Sequence, residues 1–298
     1  MTERLRIALP NKGRLAEGAL DLLERAGLEP ATAPGRALRA DLGRDFTALF
    51  VRAGDIPEFV ADGAADAGIT GSDLVAEAER PVEVRARLGF GRCRLVLAAR
   101  DGDWSSPDNL PDGVRIATSF PRTTTRWFRE RGQRIEVVPV SGAAEIAPHI
   151  GVADVISDLV STGSTLKVNG LRELATVAES EAVLIARPSR PGSSTASPAG
   201  IGTDEDSRIT ELVTALESVV RAQGKRYLMA NVPRSALAEL RTILPGLNGP
   251  TIVDVLNSGE HVAAHAVVDQ GDVYRTINEL KRIGAEGILI TRIERLLP

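Results

Sequence analysis

The stretch best equipped for chemistry is Asp154 to Leu166, DVISDLVSTGSTL, in which an apolar strand pattern runs into Ser161, Thr162, Gly163, Ser164 and Thr165. A glycine flanked by hydroxyls, after a strand and before a helix start, presents backbone N–H groups and hydroxyls to a phosphate. Helix polarity adds to the attraction for that anion. Asp158 stands four positions before Thr162, where a carboxylate accepts hydrogen bonds from the vicinal hydroxyls of a ribose whose 5-phosphate lies in the loop. An acid followed by TGxT is what a phosphoribosyl diphosphate site requires. The commoner pattern has two adjacent acids before the loop, and here Ser157 takes the place of the first. Taken alone, TGST fits an ordinary strand-to-helix turn equally well. Asp154 shares side-chain parity with Asp158 along the strand, yet it equally fits a cap on the turn that begins the strand. His149 reads as a partly exposed loop residue, and Cys93 as a small buried hydrophobe rather than a nucleophile.

The elements around this stretch follow a regular rhythm. RIALP, LAEGALDLLERAG, FTALFVR, IPEFVADGAADAGITG and SDLVAEA alternate short apolar runs with amphipathic ones over the first ninety residues. That is the signature of βαβ units, and it predicts a mainly parallel sheet. The rhythm resumes in CRLVLAA, VRIATSF, PRTTTRWFRERG, IEVVPV, AAEIAPHIG and ADVISDLVS, after a crossover at Gly89 to Arg92. Two α/β lobes with a cleft between them are expected, one from 1–92 plus 180–215 and the other from 93–179. The strand-like AVLIA around Val183 to Ala186 crosses back to the first lobe. Pro188 to Thr203, PSRPGSSTASPAGIGT, cannot bury apolar area and reads as a surface loop. After the helical ITELVTALESVVRAQ, residues 223–298 read strand, helix, strand, strand, helix, strand. This βαββαβ order is ferredoxin-like and suggests a small regulatory or binding domain.

Composition narrows the function. A chain of 298 residues, 43% hydrophobic and 26% charged, suffices for two or three domains. A formal net charge of −4 and 3% aromatic residues argue against a nucleic-acid partner, which calls for a basic field and stacking platforms. MTERLRIALP lacks the apolar region of a secretory signal and no run is long enough to span a bilayer, so a cytoplasmic protein without membrane partners is expected. One cysteine and three scattered histidines give no zinc-ligand spacing, so any metal is oxygen-bound or arrives with substrate.

Glu145, Gly151, Ala153, Ile156, Asp158, Leu159, Thr162, Gly163, Thr165 and Leu166 together resemble the pattern of the ATP phosphoribosyltransferase family. The resemblance extends through LPNKGRL (9–15), VRAGDIPEFVADGAADAGITGSDL (51–74), LGFGRCRL (88–95), RIATSFP (115–121), SEAVLIARP (180–188) and PGLNGPTI (245–252). It implies two lobes like those of periplasmic solute-binding proteins, an active site in their cleft, and a C-terminal ACT-like domain that binds histidine as feedback inhibitor. The implied reaction, at the head of histidine biosynthesis, is displacement at C1 of the ribose by N1 of ATP, with diphosphate leaving. Magnesium is the implied cofactor, carried with the substrate diphosphate, and dimers and hexamers are the implied assemblies. By the same resemblance Glu145 and Asp158 hold the ribose hydroxyls and Ser161 to Thr165 cradle the 5-phosphate, with Asp154 a second-tier candidate. Lys12, Arg14 and Arg52 face the ATP phosphates or the leaving diphosphate, Lys12 and Arg52 being the catalytic candidates and Arg52 a candidate to reach across a dimer interface. Asp73 and Thr118 are weaker candidates for ATP contacts. Asn231, Leu247, Thr251, Ala266 and Gly287 mark the neighbourhood of bound histidine, although Asn231 offers an amide where relatives often have a carboxylate. The competing readings are a solute-binding protein and a catalytically idle regulatory subunit, since both use two lobes and a hinge without chemistry.

Overall fold

The computed structural model describes residues 4–32, 37–188, 204–255 and 259–297. Most of the expected loop at Pro188 to Thr203 falls outside the described residues. Two compact units are present, Met1–Val213 and Thr214–Pro298.

In the first unit the chain runs β1 (Leu5–Pro10), α1 (Gly13–Arg25), β2 (Arg39–Leu42), β3 (Phe46–Val51), α2 (Ile56–Ala61), β4 (Ala67–Gly71), α3 (Ser72–Ala78) and β5 (Glu83–Arg87). It then enters a second sheet through β6 (Cys93–Arg100), β7 (Val114–Thr118), α4 (Pro121–Arg129), β8 (Ile135–Pro139), β9 (Val155–Val160), α5 (Ser164–Val168) and β10 (Leu171–Ser180). β11 (Ala182–Ala186) returns to the first sheet, whose strand order is β2-β3-β1-β4-β11-β5; the second sheet is ordered β10-β6-β9-β7-β8. Strands covered on both faces read as unbroken apolar runs: every residue of β4 and β11 is buried. α1 turns Ala16, Ala19, Leu22 and Leu23 inward at helical spacing.

The expectation of mainly parallel sheets needs correction, because each sheet is mixed. β1 pairs parallel with β3 and β4, and β7 with β8 and β9, whereas β2, β5, β11, β6 and β10 all pair antiparallel. Parallel neighbours need a covering crossover. The strands that pass between lobes have none: β5 reaches β6 through five residues, Leu88 to Arg92, and β10 reaches β11 through Glu181 alone. The two crossings are stitched to each other by Leu88 N–H to the Ala182 carbonyl and Ala182 N–H to the Phe90 carbonyl, both 2.9 Å. Phe90 lies against Gly18 of α1, where a Cβ would sit 2.3 Å from its ring, so this mid-helix glycine is a packing requirement.

The second unit begins at Thr214, inside α6 (Asp204–Ala222), rather than at 223. The reason is that Ser218 holds the chain end, its carbonyl accepting from Leu296 N–H at 2.8 Å and its hydroxyl from Arg295 Nε at 2.9 Å. Then follow β12 (Lys225–Pro233), α7 (Leu237–Ile243), β13 (Thr251–Asp254), β14 (His261–Asp269), α8 (Val273–Arg282) and β15 (Glu286–Arg292), forming an antiparallel sheet in the order β13-β14-β12-β15. Leu228, Ala230 and Val232 of β12 and Val262, Ala264, Ala266 and Val268 of β14 are buried at alternate positions; Leu240 of α7 and Leu280 of α8 belong to the same core.

Candidate functional site

In each lobe the candidate residues emerge at the carboxyl ends of parallel strands, where open α/β sheets bind ligands. β9 carries Ile156 and Ser157 into the core and leaves Asp158 half-buried at the edge of a cavity. Burial explains the missing second acid: Ser157 is fully buried and its hydroxyl accepts from Thr124 Oγ1 of α4 at 2.9 Å, a place with no room for an unpaired charge. Beyond Val160 the chain turns through Gly163, whose φ of +77° lies in the left-handed region, and enters α5. Thr162 and Ser164 hydroxyls lie 3.0 Å apart across this turn.

The cavity has a volume of about 270 Å³ and is walled by Glu145, Asp158, the loop Ser161 to Thr165 and Arg14. Glu145 comes from a 3-10 turn, Ala144–Ile146, entered through Ala143 at a φ of +51°. Asp158 Oδ1 accepts from Leu159 N–H at 2.7 Å. Burial pushes the Asp158 carboxyl above its ordinary value, the Leu159 hydrogen bond opposes this, and the nearby charge of Glu145 adds to the rise. Two acids and a ring of hydroxyls can thus face a sugar at one end and a phosphate at the other.

Arg14 arrives from the opposite lobe. It leaves the first turn of α1 and donates from Nη2 to Ser161 Oγ at 2.8 Å, bridging the cleft to the Ser161 to Thr165 loop. Lys12 and Arg52 are exposed and stand together: Pro10 pairs with Val51, and Asn11 N–H donates to the Val51 carbonyl at 2.8 Å, so both cations leave adjacent strand ends.

Lys12 and Arg52 do not line this cavity, and neither do three further expected site residues, Asp154, Thr118 and Asp73. Asp154 stands four residues back from Asp158, about 13 Å along an extended chain. It is bound to Arg115, with Nη2 to Oδ1 at 2.8 Å and the Arg115 N–H to Oδ2 at 3.1 Å, a hydrogen-bonded pair that lowers the Asp154 pKa. This pairing ties the start of β9 to β7 and removes Asp154 from the ribose candidates. Thr118 is fully buried and its hydroxyl accepts from Phe120 N–H at 2.9 Å, capping the turn into α4. Asp73 is buried and receives the Ser180 hydroxyl at 2.6 Å, beside the strand crossing. Of the residues set aside, His149 is exposed with Nε2 2.8 Å from the Asn169 carbonyl. The Cys93 thiol is pushed up by burial and by the charge of Asp73, against the opposing effects of Ser180 and Arg14, so it stays protonated at neutral pH.

A second cavity of about 400 Å³ escaped the reading of the sequence. It is lined by Arg87, Arg92, Cys93, Arg94, Glu179, Ser180, Glu181 and by Ser161, which both cavities share. Arg87 and Arg92 converge on Glu181 at 2.8 and 3.9 Å, and Arg94 pairs with Glu173. The signal that could have found it is the period-two run of arginines at 85, 87, 92 and 94 on either side of the crossover.

In the second unit Asn231 lies beside Gly287, where a Cβ would come within 3.3 Å of Asn231 Nδ2. Leu247 and Thr251 are exposed; Thr251 pairs with His265, next to the buried Ala266. Asn231 pairs with Ala263, three residues or about 10 Å along β14 from Ala266, so Asn231 and Gly287 lie apart from Thr251 and Ala266 on one sheet, with Leu247 in the turn before β13.

Among the described residues no group of three or more His, Cys, Asp and Glu side chains is placed to hold a metal ion. No helix of the described residues is long and apolar enough to cross a membrane.

Two α/β lobes joined by paired strand crossings, with two acids and a hydroxyl loop on one lobe and cations on the other, make a cleft suited to a phosphorylated sugar. The family described as ATP phosphoribosyltransferase matches residues 52–218, and its C-terminal domain matches 222–295. A relative from Gemmatimonas aurantiaca, named ATP phosphoribosyltransferase, is 56% identical over 298 residues, covering 99% of this chain and 100% of its own. A second, from Natronomonas pharaonis and of the same name, is 46% identical over 296 residues with 99% and 100% coverage. Among solved structures, the ATP phosphoribosyl transferase (HisG:HisZ) complex from Thermotoga maritima aligns with a TM-score of 0.61 at 27% identity, over 73% of this chain and 98% of that one. The chain belongs to the ATP phosphoribosyltransferase family, in the long form that carries the C-terminal domain: an enzyme of histidine biosynthesis, a pentosyltransferase that uses ATP and phosphoribosyl diphosphate. Enzymes of this type commonly need a divalent metal.

Proposed function

We propose that the smaller cavity holds phosphoribosyl diphosphate, with the 5-phosphate in the Ser161 to Thr165 loop, the ribose hydroxyls on Asp158 and Glu145, and Arg14 folded over the loop. The observation that carries this reading is the meeting of these four features, from both lobes, in one cavity. ATP occupies the larger cavity, where a polyphosphate displaces Glu181 from the exposed guanidiniums of Arg87 and Arg92; the shared Ser161 brings adenine N1 toward ribose C1. N1 then forms a bond to C1 as the C1–oxygen bond to diphosphate breaks, the electron pair leaving with the diphosphate. Adenine N1 supplies its own lone pair, so no strong general base is required. Lys12 and Arg52 neutralise the departing charge, and magnesium carried on the diphosphate would add to that neutralisation. Positioning and electrostatics supply most of the rate.

The second unit binds histidine as feedback inhibitor, with Asn231 and Gly287 at one end of the effector and Leu247, Thr251 and Ala266 at the other. The chain acts as a homo-oligomer, dimer or hexamer; the solved Thermotoga maritima relative, a HisG:HisZ complex, supports an assembly. The test is to incubate the protein with ATP, phosphoribosyl diphosphate and magnesium, with diphosphatase present, and to follow phosphoribosyl-ATP by absorbance, with and without histidine. Turnover inhibited by histidine is the expected result. Folded protein without turnover would remove the catalytic reading of these cavities and leave the ligand-binding one.

A further inference from the structure

Two helices from different lobes meet end to end. α3 follows β4 of the first sheet and α4 follows β7 of the second. The Glu77 carboxylate, near the end of α3, accepts from the free N–H groups that open α4: Arg122 N–H at 2.8 Å on Oε1 and Thr123 N–H at 2.9 Å on Oε2. In return Arg122 Nη1 donates to the Glu77 and Ala78 carbonyls, at 3.1 and 2.9 Å, which are orphan acceptors at the end of α3. Each lobe therefore caps the other's helix with the charge its dipole favours. Glu79 makes the exchange possible by closing α3 in the left-handed region, at φ +52°, a conformation uncommon for a residue with a side chain. Its carboxylate meets Arg126 Nη1 of α4 at 3.2 Å.

Both helices of this pair are tied to elements beside the cavities. At the start of α3, Asp73 and Ser72 hold Ser180 at the strand crossing, with Asp73 N–H to Ser180 Oγ at 3.0 Å and Ser72 Oγ to Ser180 Oγ at 3.1 Å. In α4, Thr124 holds Ser157, whose neighbour is Asp158. The contact of Arg14 with Ser161 is made between the same two lobes, so its geometry depends on the angle at which they are set.

We infer that Glu77 is a positioning residue for the transfer reaction, fixing the angle between the lobes and thereby the approach of adenine to the ribose. The inference rests on the placement of the two substrates proposed above. Neither Glu77 nor Arg122 lines either cavity, so they act through lobe orientation and not through contact.

The test is Glu77→Gln and Glu77→Ala in the full chain, with Arg122→Ala as a second route should both fail to fold. The readouts are kcat, the KM of each substrate, the Kd of phosphoribosyl diphosphate by calorimetry, and hydrogen exchange at the Arg122 and Thr123 amides. Misalignment of about 1 Å costs up to a hundredfold in rate, so kcat is expected to fall about ten- to a hundredfold. The acids and loop lie on one lobe and Arg14 alone comes from the other, so Kd for phosphoribosyl diphosphate should rise by clearly less than kcat falls, and exchange at the two amides should accelerate. Glu77→Asp, which keeps the charge on a shorter arm, should recover part of kcat. An unchanged kcat in a folded Glu77 variant overturns the inference, as does a loss of kcat matched by an equal loss of phosphoribosyl diphosphate binding. Failure of the substrate placement itself would appear separately, as an Asp158→Asn enzyme that binds phosphoribosyl diphosphate normally.

Discussion

Asp158→Asn separates what the acid does for substrate from what it does for the fold. The side chain is half-buried in the loop cavity, beside Glu145, and the Leu159 N–H occupies Oδ1. Asparagine keeps that bond through its amide oxygen but presents an NH₂ group, a donor, where a ribose hydroxyl needs a charged acceptor. Loss of a charge-assisted hydrogen bond costs about 1.5–3 kcal/mol, which weakens binding of phosphoribosyl diphosphate about 10- to 150-fold. Stability should move the other way. Because the folded-state pKa of Asp158 is raised above its unfolded value, the ionised carboxylate is worse off in the folded protein. That penalty is absent below the unfolded pKa of 3.8 and reaches its full size once the pH has passed the raised folded value. The asparagine variant is therefore expected to melt above the parent at pH 7 and to lose this advantage as the pH falls toward 3.8. The assays are calorimetric titration with phosphoribosyl diphosphate and magnesium at pH 7, and thermal melts across that pH range. An unchanged dissociation constant would refute the ribose assignment, and a lower melting temperature at pH 7 would show that the carboxylate serves the fold instead.

Three further changes test the residues around it. Asp154→Ala should leave phosphoribosyl diphosphate binding unaltered and cost about 1 kcal/mol or less in urea unfolding, because its pair with Arg115 is more than a third exposed on both sides. Ser157→Asp restores the two adjacent acids of the commoner pattern but buries a charge against Thr124, so a loss of about 3–5 kcal/mol in urea unfolding is expected rather than tighter binding. Asn231→Ala should weaken histidine inhibition while leaving the uninhibited kcat unchanged; inhibition at the parental histidine concentration would place the effector elsewhere.

How much of this was legible beforehand depends on whether the information is local. Helical spacing in LAEGALDLLERAG, the apolar runs of AGITG and AVLIA, and the TGST turn each carry their structure within a few residues, and α1, β4, β11 and the loop after β9 lie where those patterns put them. Strand direction is not local. It departs from the parallel expectation at the β2–β3 hairpin and where the chain changes lobe, because a five-residue link looks the same in sequence whether it turns back or crosses over. The same limit governs the site. Asp154 and Asp158 are both acids on one strand pattern, and only the position of Arg115, 39 residues away, distinguishes a structural pair from a ligand group. Thr118 and Asp73 sit in well-matched motifs, yet their side chains are taken by Phe120 and Ser180. A motif match preserves the backbone path and the packing as well as the chemistry, so it does not say which of its polar residues face the ligand. Burial and partner make that distinction: Asp158, Glu145 and Arg14 line the cavity, while the polar residues that dropped out are held by partners inside the fold.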